Sequence, residues 1–180
     1  MAQMEGYVSG ETETRTAEMV AGSHAKMGRL SITTAGTAID QTPTITVGAY
    51  SANDALGGLL TLANAARATG LGGVVKDMLI CDNAGQDAEI ELWLFNETFT
   101  AMGDNAAWAP SEADLRKVVA IISTGGGAWF AAGTSSVARV EVSQRYDCVG
   151  TSLFGQLVTR GTPTYAATDN VTVSVGLLQD

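Results

Sequence analysis

From Val171 to Leu178 the apolar residues Val171, Val173, Val175 and Leu177 alternate with Thr172, Ser174 and Gly176. Only a strand sends successive side chains to opposite faces, so this run predicts a strand with one buried face. A single buried strand face needs partners, and the rest of the chain supplies them. Val137, Arg139 and Glu141 alternate with Ala138, Val140 and Val142, and Ile45, Val47 and Ala49 alternate with Thr44, Thr46 and Gly48 behind Pro43, which suits an edge strand or a strand entrance. Leu59 to Leu62, Val74 to Cys81, Ala88 to Phe95, Val118 to Ile122 and Leu153 to Arg160 complete the series.

Eight to ten short strands and no long amphipathic helix predict an all-β chain, and 180 residues suit one domain with an arm. An antiparallel β-sandwich of jelly-roll type, with eight strands in two packed sheets, is the preferred architecture, and an up-and-down barrel is the second. The sandwich is assigned to residues 31–180. Residues 1–30 form a separate arm, extended or disordered, because they contain no apolar run longer than the three residues Met19-Val20-Ala21. Met4, Tyr7, Met19 and Met27 are its scattered anchors for a neighbouring subunit.

Three local predictions follow from turn chemistry, cap chemistry and strand alternation. Asp82 to Asp87 reads as a turn joining Val74–Cys81 and Ala88–Phe95 into a hairpin. Ser111 with Asp114 three residues on predicts a single turn of helix. In Ala88–Phe95, Ile90, Leu92 and Leu94 share one face while Glu89, Glu91, Trp93 and Phe95 share the other, so Trp93 and Phe95 need cover from a loop or from another subunit.

A net charge of −9 argues against a nucleic-acid partner. No run is long enough to span a bilayer and no secretory leader is visible, so no membrane association is expected. Cys81 and Cys148 read as two buried thiols in a reducing compartment. The only histidine, His24, lies in the arm and reads as a solvated side chain rather than a base, and one His with two distant Cys does not make a zinc site.

Asp82, Asn83 and Asp87 are weighed as calcium ligands and assigned to the turn instead. Glu89 and Glu91, about 7 Å apart along a strand, are weighed as a glycosidase pair and assigned to a wet sheet face. Gly70 to Gly73 and Gly150 to Gly155 lack the phosphate-loop spacings and are read as tight turns. No catalytic residue, cofactor or metal is assigned. Trp93, Trp108 and Trp129 are divided between core and contact surface, with Trp108 in the loop Asp104 to Pro110 the best contact candidate.

Several phrases together carry a resemblance: Tyr50-Ser51-Ala52-Asn53-Asp54, Gly57-Gly58-Leu59-Leu60, Leu94-Phe95-Asn96, Asp104-Asn105-Ala106, and Leu157 to Tyr165 before the strand ending Gly176-Leu177-Leu178. The chain from Ile45 to Asp180 resembles the β-sandwich capsid decoration, or cement, proteins of tailed bacteriophages. The resemblance implies a non-enzymatic jelly-roll subunit, often a homotrimer, assembled in the host cytoplasm onto the capsid exterior. Its partner would be the major capsid protein, held where neighbouring subunits meet, and Met4, Tyr7, Met19, Met27, Trp93, Phe95 and Trp108 are the candidate subunit or capsid contacts. A tail- or neck-associated virion protein fits the same resemblance. A lectin-like carbohydrate-binding sandwich using the tryptophans is the alternative from another class, and a hydrolase on Glu89 and Glu91 comes third.

Overall fold

The computed structural model describes residues 36–125 and 129–180. Among these described residues, eleven strands and one helical turn follow in chain order. They are β1 (Gly36–Gln41), β2 (Gly48–Ala49), β3 (Ala55–Leu62), β4 (Gly72–Asp82), β5 (Ile90–Phe95), α1 (Glu112–Leu115), β6 (Val118–Ser123), β7 (Trp129–Ala132), β8 (Ser135–Asp147), β9 (Leu153–Thr159), β10 (Thr164–Tyr165) and β11 (Val171–Gln179). The strand count exceeds the expected eight to ten because β2 and β10 are a two-residue ladder and β7 is a short addition at an edge.

The eight strands of six or more residues form two antiparallel sheets, β1-β11-β4-β8, extended at its edge by β7, and β3-β9-β5-β6. Among these eight, only β5 to β6 stays within one sheet, and every other consecutive pair changes sheet. That connectivity is a jelly roll, the sandwich version the strand spacing predicted.

The alternating runs produce the core. Val171, Val173, Val175 and Leu177 are each at most 1% exposed, and they face Ile90, Leu92 and Leu94 at 0%. Met78, Ile80, Leu56, Leu62, Leu153 and Leu157 fill the space between. Burying a side chain of this size contributes roughly 1.5–3 kcal/mol, so the inward faces of both sheets hold the sandwich shut.

Four local expectations need correction. Val74–Cys81 and Ala88–Phe95 do not form a hairpin: β4 pairs with β11 and β8, while β5 pairs with β6 and β9. The reason is Asp82, which is wholly buried and whose carboxylate accepts from the N–H groups of Ala84 (2.9 Å) and Gln86 (2.9 Å), curling the connection so that it crosses between sheets.

The alternation around Ile45 yields only the two residues of β2. Ile45 is 1% exposed but Val47 is 56% exposed, because the backbone here bonds to loops, with the Ile45 N–H donating to the Thr168 carbonyl. Gly72 and Gly73 lie in β4 rather than in a turn, and Gly155 lies in β9. A Cβ on Gly72 would stand 2.0 Å from the Tyr146 carbonyl oxygen and one on Gly73 2.0 Å from that of Leu178, so the neighbouring strands come too close for any side chain. Finally, Cys148 is buried but Cys81 is only half-buried, since it stands on the outer face of β4.

Candidate functional surface

Antiparallel neighbours such as β5 and β6 can be joined by two residues. Here residues 96–117 intervene, and this connection folds back across the outer face of its own sheet as a strap. Loops of such length without strands of their own are uncommon in compact domains and concentrate function.

The strap is pinned from below by Gln156, a polar residue at 0% exposure in the middle of β9. Its amide nitrogen donates to the carbonyls of Gly57 (2.9 Å) and Met102 (2.6 Å), and its oxygen accepts from the Met102 N–H (2.9 Å). Asp104 pins the strap from the side. Its carboxylate accepts from the N–H groups of Thr46 (2.6 Å) and Gly57 (2.5 Å) and from the Tyr50 hydroxyl (2.8 Å). Burial and that carboxylate together hold the Tyr50 hydroxyl protonated well above its ordinary range.

The backbone adds three ties: Ala55 N–H to Ala106, Asn105 N–H to Ala55 and Trp108 N–H to Asn53. The far end closes on α1, where the Ser111 hydroxyl accepts from the Asp114 N–H (3.1 Å) as the predicted N-cap. Lys117 then links Asp114 (3.1 Å) to the Thr98 carbonyl (2.8 Å). The Ser111 hydroxyl and Lys117 hold the Asp114 carboxyl below its usual range.

Under the strap the aromatic face of β5 is filled. Phe95 stacks on Phe99 at 3.8 Å between ring centroids, and Trp108 contacts Trp93, Phe95 and Phe99. Cover for Trp93 and Phe95 therefore comes from the chain's own loop. Phe95 is 0% exposed and its side chain is fully used inside the body, whereas Trp93 and Trp108 keep part of their surface open. Ile121, directly across from Trp93 on β6, is 50% exposed and extends this open apolar surface. The indole planes of Trp93 and Trp108 are tilted by 57°, so they offer no single flat platform for a sugar ring.

The carboxylates weighed as a catalytic pair are tied separately. Glu91 accepts from Arg160 (2.6 Å) and from the Trp93 indole N–H (2.9 Å). Burial works against its charge, but these two donors outweigh it and hold the carboxyl below its usual range. Glu89 lies before β5 and accepts from the Ser123 hydroxyl (2.8 Å). Arg160 also reaches the Asn53 side-chain oxygen, so it joins β5, β9 and the turn before β3.

Of the other candidate residues, Met4, Tyr7, Met19 and Met27, together with His24, lie outside the described residues. Among the described residues no three or more His, Cys, Asp or Glu gather as they would around a metal ion, and no helix is long and apolar enough to cross a membrane.

Sequence reasoning gave no role to Gln156, Asp104 or Ile121. A readable signal existed for Gln156, a lone amide in the otherwise apolar run Leu153 to Val158. The fold and surface define a jelly-roll body with a strapped sheet and a half-open aromatic patch. Compared with protein families, with characterised proteins and with solved structures, the chain finds no match.

Proposed function

We propose that this chain is a structural virion protein that binds the outside of a tailed-phage capsid and cements neighbouring major capsid protein subunits. The observation that carries the reading is the strapped sheet face: a long loop folded onto a rigid jelly roll, leaving Trp93, Trp108 and Ile121 half-open in one patch. Partly buried tryptophans on a rigid base are what a protein contact uses, because little side-chain entropy is lost on docking. The net charge of −9 disfavours non-specific association of the free protein.

The mechanism is linkage. A subunit that binds only the assembled shell shifts the shell's stability by mass action, and a symmetric lattice presents many copies of the same site. The resemblance in sequence adds the expectation of a closed oligomer, a trimer, on the capsid exterior.

Add-back to particles made without this chain tests the reading. Bare particles are expected to lose their contents at lower temperature or lower chaotrope, and purified protein to restore them. Trp108→Ala and Ile121→Lys should each weaken capsid binding about tenfold or more, in keeping with loss of a central contact. Equal sturdiness with and without the protein, together with no binding to expanded capsids, would overturn it.

A further inference from the structure

The two sheets have four edges, and three of them carry features that discourage pairing with another chain. β1 bears Asp40, β3 is broken by a register shift between Leu56 and Leu60 with Gly57 in the left-handed region, and β6 follows directly on the charged turn Glu112–Lys117. β7 is the shortest of the four edges at four residues, but it bears no charge and no register break. It reads Trp129-Phe130-Ala131-Ala132, it pairs with β8 without a register break, and the β8 residues beside it, Ser135 to Ala138, are uncharged. Phe130 is 69% exposed, the most open of the large hydrophobic residues described.

We propose that β7 is a self-association edge, which takes as its partner the β7 of a second copy of this chain. The occupant follows from size and charge. Phe130 and Ala132 share the outer face of β7, because side chains two apart on a strand point the same way. When two copies meet antiparallel about a two-fold axis centred on Ala131, each Phe130 lies opposite the other copy's Ala132. A large side chain then covers a small one twice, as an isologous contact requires. In a chain of net charge −9, this uncharged edge also lets two copies approach without bringing carboxylates together.

The contact is short, so it belongs with weak, transient interfaces. It does not rest on the capsid reading, and the two-fold pair and the trimer expected there are alternatives that sedimentation distinguishes.

Analytical ultracentrifugation from about 1 to 500 μM should show a reversible dimer. Phe130→Lys should raise its Kd at least tenfold, and Ile121→Lys should leave it unchanged. In a Cys81→Ser background, Ala131→Cys should cross-link two chains under mild copper oxidation, because the residue on the axis faces its own copy, while Ala132→Cys should not. The cross-linking arm decides the matter if Phe130→Lys disturbs folding, which near-UV circular dichroism reports. A monomer throughout this range, a dimer indifferent to Phe130→Lys, or Ala131→Cys chains that stay unlinked would overturn the proposal.

Discussion

Gln156 shows how one side chain in an apolar strand can decide what covers a sheet. Its amide satisfies both the N–H and the C=O of Met102 and the carbonyl of Gly57, so Gln156→Leu leaves three backbone groups without their partner. The expected loss is about 2–4 kcal/mol, with the strap released, because an unsatisfied buried polar group costs more than the bond itself contributes. Urea unfolding checks the magnitude, and hydrogen exchange at residues 96–110 checks the location.

Asp82 and Glu91 are predicted to act on pH stability with opposite signs. Burial raises the Asp82 carboxyl against the pull of the N–H groups of Ala84, Gln86 and Asp87. The folded chain thus holds a proton there in a window where the unfolded chain has already released it, and stability falls as pH rises from the ordinary carboxyl value of about 4 through the raised one. Asp82→Asn should remove that downward slope in urea midpoints measured from pH 4 to 7. Glu91, lowered by Arg160 and Trp93, contributes stability above the ordinary value that is lost as pH falls through its folded one, so Glu91→Gln should flatten the acid limb below about pH 4.5.

At the scale of elements, period-two runs were legible wherever one face was buried. β11 reads directly from Val171 to Leu177, and β5 from Ile90 to Leu94, because each position's burial follows its parity. What alternation does not carry is the identity of the partner strand. β4 and β5 are both apolar enough to pair, and the crossing between sheets depends on where one buried carboxylate bends the backbone. The Ile45 run misled for a related reason: Thr, Val and Ile favour strands, yet the hydrogen bonds here go to Thr168 and Asp104 rather than to a ladder.

The candidate surface was half legible. Trp93 and Trp108 were visible as residues needing an explanation, but the strap that joins them is made by contacts between residues far apart in sequence, such as Gln156 with Met102. The glycines of β4 test the close approach of strands. Gly72→Ala and Gly73→Ala should each cost about 3 kcal/mol or more, or prevent folding, since the obstruction is backbone oxygen rather than a flexible side chain. Gly58→Ala, where a Cβ would meet nothing within 4 Å, should change the thermal midpoint little, and comparing the three by calorimetry separates crowding from the general effect of replacing glycine.

For the molecule as a whole, the two faces of the sandwich differ in how far they are finished. The four-stranded sheet carries its own cover, held by Gln156 and Asp104, while among the described residues the five-stranded sheet ends at β7. Two kinds of association are thus separable in one body: a half-open aromatic patch that would meet a different polypeptide, and an edge that matches itself.

The placement of β11 has a further effect. It sits between β1 and β4, so the first described strand borders on the last described one. Until Val171–Gln179 has left the ribosome, Gly36–Gln41 has no strand partner among the described residues, and β4 lacks one of its two. Completing the fold waits on the most distant pairing in the sequence, which makes refolding slow for a body of this size and exposes nascent chains to aggregation during synthesis.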